Sequence, residues 1–263
     1  MTVHSPFPNG SSRNASEDSI QWLLKVFNQT GLDLDSLKQA WESEGGSFTW
    51  GGSGSSPNGP RWDHELIQQI VTPYSHVLDC GCGSGELLSE LIRDRHVVGQ
   101  GIEINAEEVQ LAVHHGVPVI QADLDTGLDG FGDDIFDFVI LERTLQTVHK
   151  PLDVLREMLR VGKVVIVSFP NFAHWRNRLQ LFLEGRMPRT PTIPYDWYET
   201  PNIHHVAIRD FKDSLQVIGA QIVEAYARAG HVVHRYQEYD DLLAEEALFV
   251  LCRGHEYIEG AGI

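Results

Sequence analysis

The run His76-Val-Leu-Asp-Cys-Gly-Cys-Gly-Ser-Gly-Glu-Leu-Leu88 constrains this chain more than any other stretch. Val77 and Leu78 read as a buried strand. The glycines read as a turn, and Leu87, Leu88, Leu91 and Ile92 form one face of a helix opening at Glu86. Gly81, Gly83 and Gly85 alternate, which permits positive φ and lets backbone N–H groups approach a ligand. A dinucleotide-binding G-x-G-x-x-G turn would place its last glycine at position 86, where Glu86 stands. A carboxylate at a helix N-terminus suits the helix dipole but opposes a pyrophosphate. The turn therefore suits a nucleotide-type ligand without phosphates, unless it is purely structural. A nicotinamide-dependent oxidoreductase is excluded on the same residue.

Beyond this turn, strands and helices alternate. Strands are expected at 76–80, 97–104, 117–121, 136–141 and 163–169, with helices at 106–115 and 151–160 between them. The strand at 136–141 is almost continuously apolar, as a strand covered on both faces must be. The second helix starts with Pro151, whose fixed φ suits a first helical turn. Such alternation predicts a mostly parallel sheet with helices on both faces, completed by a helix at 210–218 and strands at 220–227 and 248–252. Seven strands are expected in all. Ligands of such sheets sit at the carboxyl ends of the strands, so polar residues there are site candidates.

Four strand ends supply them. Asp79 ends the first strand. Glu103 ends the second, 18 positions past Gly85, where a carboxylate can accept from both hydroxyls of a ribose, with Ile104 next to it. Asp123 can accept from an adenine amino group, with Leu124 beside the ring. Glu142 ends the fourth strand, where the backbone can meet the far end of the ligand. Any one of these carboxylates can instead cap the following helix. Together with the turn, the series resembles the D-x-G-x-G-x-G loop and strand-end acids of class I S-adenosylmethionine (SAM) methyltransferases. That resemblance implies a Rossmann-like class I methyltransferase fold binding SAM or S-adenosylhomocysteine through Asp79, Gly81, Cys82, Gly83, Gly85, Glu103, Ile104, Asp123, Leu124 and Glu142.

Composition narrows the partners. A formal charge of −17 over 263 residues argues against non-specific nucleic-acid binding, which rests on Lys and Arg neutralising phosphates. No apolar run reaches the roughly 18 residues of a membrane span, and no signal peptide opens the chain, so a cytoplasmic protein is expected. Cys80 and Cys82 flank one glycine, too few ligands for zinc, and read as small residues packed under the turn. Neighbouring histidines at 114–115 and 204–205 lack the spacing of a helical ligand pair, and no metal site is expected.

The ends differ from the middle. Residues 1–15 are poor in apolar side chains and are expected to be disordered. Short helices are expected from Ser16 to Gly31 and from Asp35 to Glu44, followed by a Gly/Ser/Pro-rich linker at 45–60. Residues 1–60 thus form a helical extension, and 61–263 the ligand-binding domain.

The second half is more particular. Ser168-Phe-Pro-Asn171 leaves the fifth strand, and Asn171 is expected to cap a helix carrying Phe172, Trp175, Leu179 and Phe182. A Pro- and aromatic-rich segment at 186–205 follows, too long for a simple turn and of the kind used as a lid or binding surface. Several stretches here resemble the methionine biosynthesis protein MetW family: 155–163, 167–181, Gly185-Arg-Met-Pro188, Tyr195-Asp-Trp-Tyr-Glu-Thr-Pro-Asn-Ile-His204 and Ile208-Arg-Asp-Phe211. The resemblance runs from about Trp62 to Arg228; residues 1–60 and the acidic 237–246 segment are additions to it. It implies a SAM-binding protein of methionine biosynthesis acting with homoserine O-acetyltransferase. The alternative is an active SAM-dependent methyltransferase on an unidentified small acceptor. For that chemistry His174, His204 and Tyr198 are the candidate bases, none of them in a recognised catalytic motif.

Overall fold

A computed structural model describes residues 61–254. The helices and linker expected before Arg61 lie outside the described residues, as do residues 255–263. The sheet is built from β1 (His76–Cys80), β2 (Val98–Glu103), β3 (Val119–Gln121), β4 (Phe136–Glu142), β5 (Gly162–Pro170), β6 (Ala220–Ala229), β7 (Val232–Arg235) and β8 (Glu246–Arg253). The helices are α1 (Trp62–Ile70), α2 (Glu86–Arg95), α3 (Ala106–His114), α4 (Pro151–Val161), α5 (Trp175–Glu184), α6 (Ile208–Ile218) and α7 (Asp240–Leu243). None is long and apolar enough to cross a membrane.

The strand order is β3-β2-β1-β4-β5-β8-β6-β7. The first five strands of that order run parallel, and β8 enters antiparallel between β5 and β6. The expected seven strands are therefore eight. The extra one, β7, is a short exposed edge strand that returns from β6 through a tight turn at Gly230, φ 60°.

Period-two alternation divides the sheet's side chains between two cores. Val139 and Leu141 of β4 join Val165, Val167 and Phe169 of β5 under Leu155, Met158 and Leu159 of α4 and Ile208, Phe211 and Leu215 of α6. Phe138 and Ile140 point the other way, onto Ile67 and Ile70 of α1 and Leu87, Leu88 and Leu91 of α2. β8 serves both cores, with Phe249 and Leu251 on one side and Leu248 and Val250 on the other.

One helix start differs from expectation. His174, not Asn171, caps α5, its ring accepting from the Arg176 N–H at 3.4 Å. Asn171 closes the turn before it, accepting from Ala173 N–H at 3.1 Å and donating to the Ala244 carbonyl at 2.9 Å. It thereby ties the exit of β5 to the entry of β8.

Phe249 packs against Phe169 and Phe211 with ring centroids 5.9 and 4.9 Å away. Phe249→Ala is expected to cost about 3–5 kcal/mol, the range for a large aromatic removed from a close-packed core. Urea denaturation of the variant, with the m-value unchanged, checks this.

Candidate functional site

The glycine turn is set by packing as much as by φ. Gly81 has φ 74°, and a Cβ there would lie 2.6 Å from Thr144 Cγ2. Gly85 has φ 76°, and its Cβ would press on Val117 and Ala112 at 3.0 and 3.1 Å. The turn's own N–H groups are already used. Gly81 and Cys82 both donate to the Ile102 carbonyl at 2.8 and 3.0 Å, Gly83 to Glu103 Oε2 at 2.9 Å, and Gly85 to the Cys82 carbonyl at 2.9 Å. The turn thus offers a shape, and these four amides are not free for a ligand. Cys82 packs its sulfur over Gly101, where a Cβ would lie 2.5 Å away. Burial lifts its thiol to about 12 and that of Cys80 higher still, so neither is a nucleophile.

A cleft of about 290 Å³ opens at the carboxyl ends of β1 to β4. Of the expected residues, Gly81, Glu103, Ile104, Asp123 and Leu124 line it. Asp79, Cys82, Gly83 and Gly85 lie behind this lining, as the frame of the turn. Glu103 Oε1 also accepts from the N–H groups of Ile104 and Asn105 at 2.9 and 2.8 Å, so the carboxylate stands fixed at the cleft wall. Asp123 caps the single turn Leu124–Thr126, accepting from Asp125 N–H at 2.9 Å through Oδ1. Its other oxygen is left for a donor on a ligand. Asp125 in turn accepts from the N–H groups of His149 and Lys150 at 2.9 and 2.7 Å, which brings Val148 and His149 to the same end of the cleft.

Sequence reasoning missed the residues that follow β4. Arg143, Thr144, Thr147, Val148 and His149 all line the cleft, on a loop held against Asp125 rather than at a strand end. The signal was present only as the position of Arg143, directly after an apolar strand. Glu142 itself turns away from the cleft. Its carboxylate pairs with Arg61 and, at 3.1 Å, with His64 Nε2 of α1.

Glu142 belongs to a buried charge network. Asp63 lies between Arg61 and Arg143, 3.4 and 3.5 Å from their nearest nitrogens. Glu246, 2% exposed, accepts from Trp62 Nε1 at 2.7 Å and Arg228 Nε at 2.6 Å and pairs with Arg143. One donor atom each from Asp63, His64 and Glu142 lies within 4.8 Å of the others. Two guanidinium groups already neutralise these carboxylates, so the donor set is that of an ion-pair network.

The expected bases stand elsewhere. Burial and the nearby Arg176, Arg178 and Arg228 hold His174 down at about 4, so it is neutral at pH 7 and acts as a helix cap. Tyr198 lies on an exposed groove with Trp197, Met187 and Arg189. His204 is anchored through its backbone N–H to the Gln146 carbonyl at 3.0 Å. None of the three lines the cleft.

A parallel sheet with an antiparallel strand inserted near one end, a glycine turn after β1 and an acid-walled cleft above β2 define a methyltransferase-type α/β fold. A SAM-dependent methyltransferase from Thermotoga maritima superposes with a TM-score of 0.55 at 15% identity, over 72% of this chain and 87% of that one. The sequence model of the methionine biosynthesis protein MetW matches residues 61–251, and the chain belongs to that family. The bifunctional methionine biosynthesis protein MetXA/MetW of Rhodopirellula baltica is 41% identical over 172 residues, which are 62% of this chain and 27% of that protein. The chain thus matches about a quarter of that relative's length. A demethylmenaquinone methyltransferase of Listeria monocytogenes is 25% identical over 192 residues, 67% of this chain and 78% of that protein.

Burial lifts the Asp79 carboxyl to about 7, and the negative charge of Glu103 adds to the rise while Arg61 opposes it. An unfolded aspartate titrates near 4, so the native state holds the extra proton between about pH 4 and 7 and stability falls as pH climbs through that window. Asp79→Asn is expected to remove the slope, raising the melting temperature by several degrees at pH 8 and leaving it unchanged at pH 4. Calorimetric scans at the two pH values check the sign.

Proposed function

We propose that the cleft binds SAM or S-adenosylhomocysteine and that the chain works as a SAM-binding partner of homoserine O-acetyltransferase in methionine biosynthesis. The observation that carries the ligand is the pairing of Glu103 and Asp123 on one cleft wall. Glu103 stands where a ribose diol can donate to it, and Asp123 beside Leu124 and Val148 suits a flat, amino-bearing adenine. Three kinds of group thus recognise an adenosine in sequence, none of them suited to a phosphate. The likeness to SAM-dependent methyltransferases supports the same choice at the level of the fold.

A binding role is favoured over methyl transfer because no expected base reaches the cleft. SAM brings its own electrophile, but an acceptor such as an amine or hydroxyl must still lose a proton to something nearby. The R. baltica relative unites MetXA and MetW in one name and one chain, which supports association with the acetyltransferase. A surface suited to a protein partner is present. Trp197 and Tyr198 meet edge to face with centroids 5.6 Å apart while remaining 74% and 65% exposed. The segment is held rigid by Arg189, which donates to both oxygens of Asp196 at 3.0 and 3.1 Å. Large aromatics on a pre-ordered loop lose little entropy on docking.

Two measurements test the halves separately. Glu103→Ala should weaken SAM binding by about 1.5–3 kcal/mol in calorimetry, the range for charge-assisted hydrogen bonds. Equal affinity would take Glu103 out of the site. Purified homoserine O-acetyltransferase should co-elute with the chain and gain activity from it. Trp197→Ala should raise the concentration needed at least tenfold, in line with the ~2 kcal/mol of an anchoring aromatic. Undiminished stimulation by the variant would remove this surface from the interface.

A further inference from the structure

The adenosine contacts leave Arg143 unused, although it lines the same cleft. It follows β4 with φ 49°, left-handed backbone that a side chain adopts only when its surroundings enforce it. The enforcing contacts are on the page. Its N–H donates to the Ser168 carbonyl at 3.0 Å and lies 3.2 Å from Ser168 Oγ, fixing the loop to the end of β5. The conformation aims the guanidinium across the network, with Nε 3.5 Å from Asp63 and Nη2 paired to Glu246. Two carboxylates thus set the plane of the fork. Among the described residues, no acceptor takes the remaining Nη1.

A second unsatisfied group sits nearby. Asp79 is 2% exposed and its Oδ1 has no hydrogen-bond partner. Gly81, two residues on, faces Thr144, the neighbour of Arg143, so the turn after β1 and the loop after β4 close on each other here. This end of the cleft lies beyond Glu103, on the side away from Asp123 and Val148. It therefore offers a positive fork and a carboxylate wanting a donor, separated by a glycine: complementary to a zwitterion. A guanidinium fork is matched to a carboxylate in both charge and shape.

We propose that Arg143 determines the specificity of the cleft for adenosyl ligands bearing an intact α-carboxylate. The proposal rests on the reading of the cleft as an adenosyl site, and goes beyond it by assigning what the ligand's other end must be. A ligand that has lost the carboxylate leaves the fork with only its protein partners, and is rejected.

Three probes separate the cases in calorimetry on the full chain: SAM, decarboxylated SAM, which differs by the carboxylate alone, and 5′-methylthioadenosine, which lacks the amino-acid end. The wild-type chain should bind SAM at least tenfold more tightly than decarboxylated SAM. Arg143→Gln should weaken SAM at least tenfold and leave the other two within threefold. Arg143→Lys, which keeps the charge beside Asp63 and Glu246 but not the fork, should fall between them and serves if the glutamine variant folds poorly. Equal wild-type affinity for SAM and its decarboxylated form would overturn the proposal whatever the variants do. So would a variant that keeps the preference, or one that loses all three probes alike, which would make Arg143 a scaffold residue. Failure of the wild-type chain to bind any of the three would instead overturn the adenosyl reading itself, and the proposal with it.

Discussion

Glu103 holds the site together before any ligand arrives. One oxygen of its carboxylate accepts from Gly83 in the turn after β1, and the other from Ile104 and Asn105 at the start of the next connection. The chain's two ligand-facing loops are therefore fastened to one side chain at the end of β2. Without that side chain the Gly83 amide, turned inward by its positive φ, would lose its acceptor, and the turn would lose the contact that keeps it off the cleft. The glycines and the carboxylate are one device. Small residues let the turn fold tightly over Gly101 and Thr144, and the carboxylate fixes it there.

The parallel half of the fold was legible because its signals are local and strong. Continuous apolar runs such as Phe138 to Leu141, helix starts such as Pro151 and stops such as Gly219 each mark their element by themselves. β7 escaped because four residues with exposed Val232 and Val233 at a sheet edge carry no alternation to read. The helix cap shifted from Asn171 to His174 because Asn171 is consumed by a long-range tie to Ala244, which no local pattern announces. In the site, the residues at strand ends could be placed from the sequence. Those on the loop after β4 could not, since it is Asp125, a residue of a different connection, that positions them. Glu142 shows the same limit in reverse: its position was right for a ligand, but Arg61 and His64 of α1 claim its side chain.

The chemistry of the cleft is that of recognition. Its walls carry fixed acceptors and one oriented guanidinium, while the histidines that might move protons are committed to a helix cap and a loop anchor. The exposed aromatics lie on a different segment, held by its own ion pair. Ligand binding and partner binding thus draw on separate parts of the chain, and the charge network of Arg61, Asp63, Arg143 and Glu246 touches both the cleft and the first described helix.

β8 carries a consequence for how the molecule comes into being. It is the last strand of the described chain, yet it lies inside the sheet, with seven of its eight residues buried and both cores resting on it. During synthesis β5 and β6 emerge with their facing edges unpaired, and neither core can close until residue 253 has cleared the ribosome. Vectorial folding can proceed strand by strand only as far as β5. Completion then waits on the insertion of a distant segment between two waiting neighbours, a contact of high sequence separation and correspondingly slow. A nascent chain halted before position 246 would present apolar sheet edges to whatever binds them first.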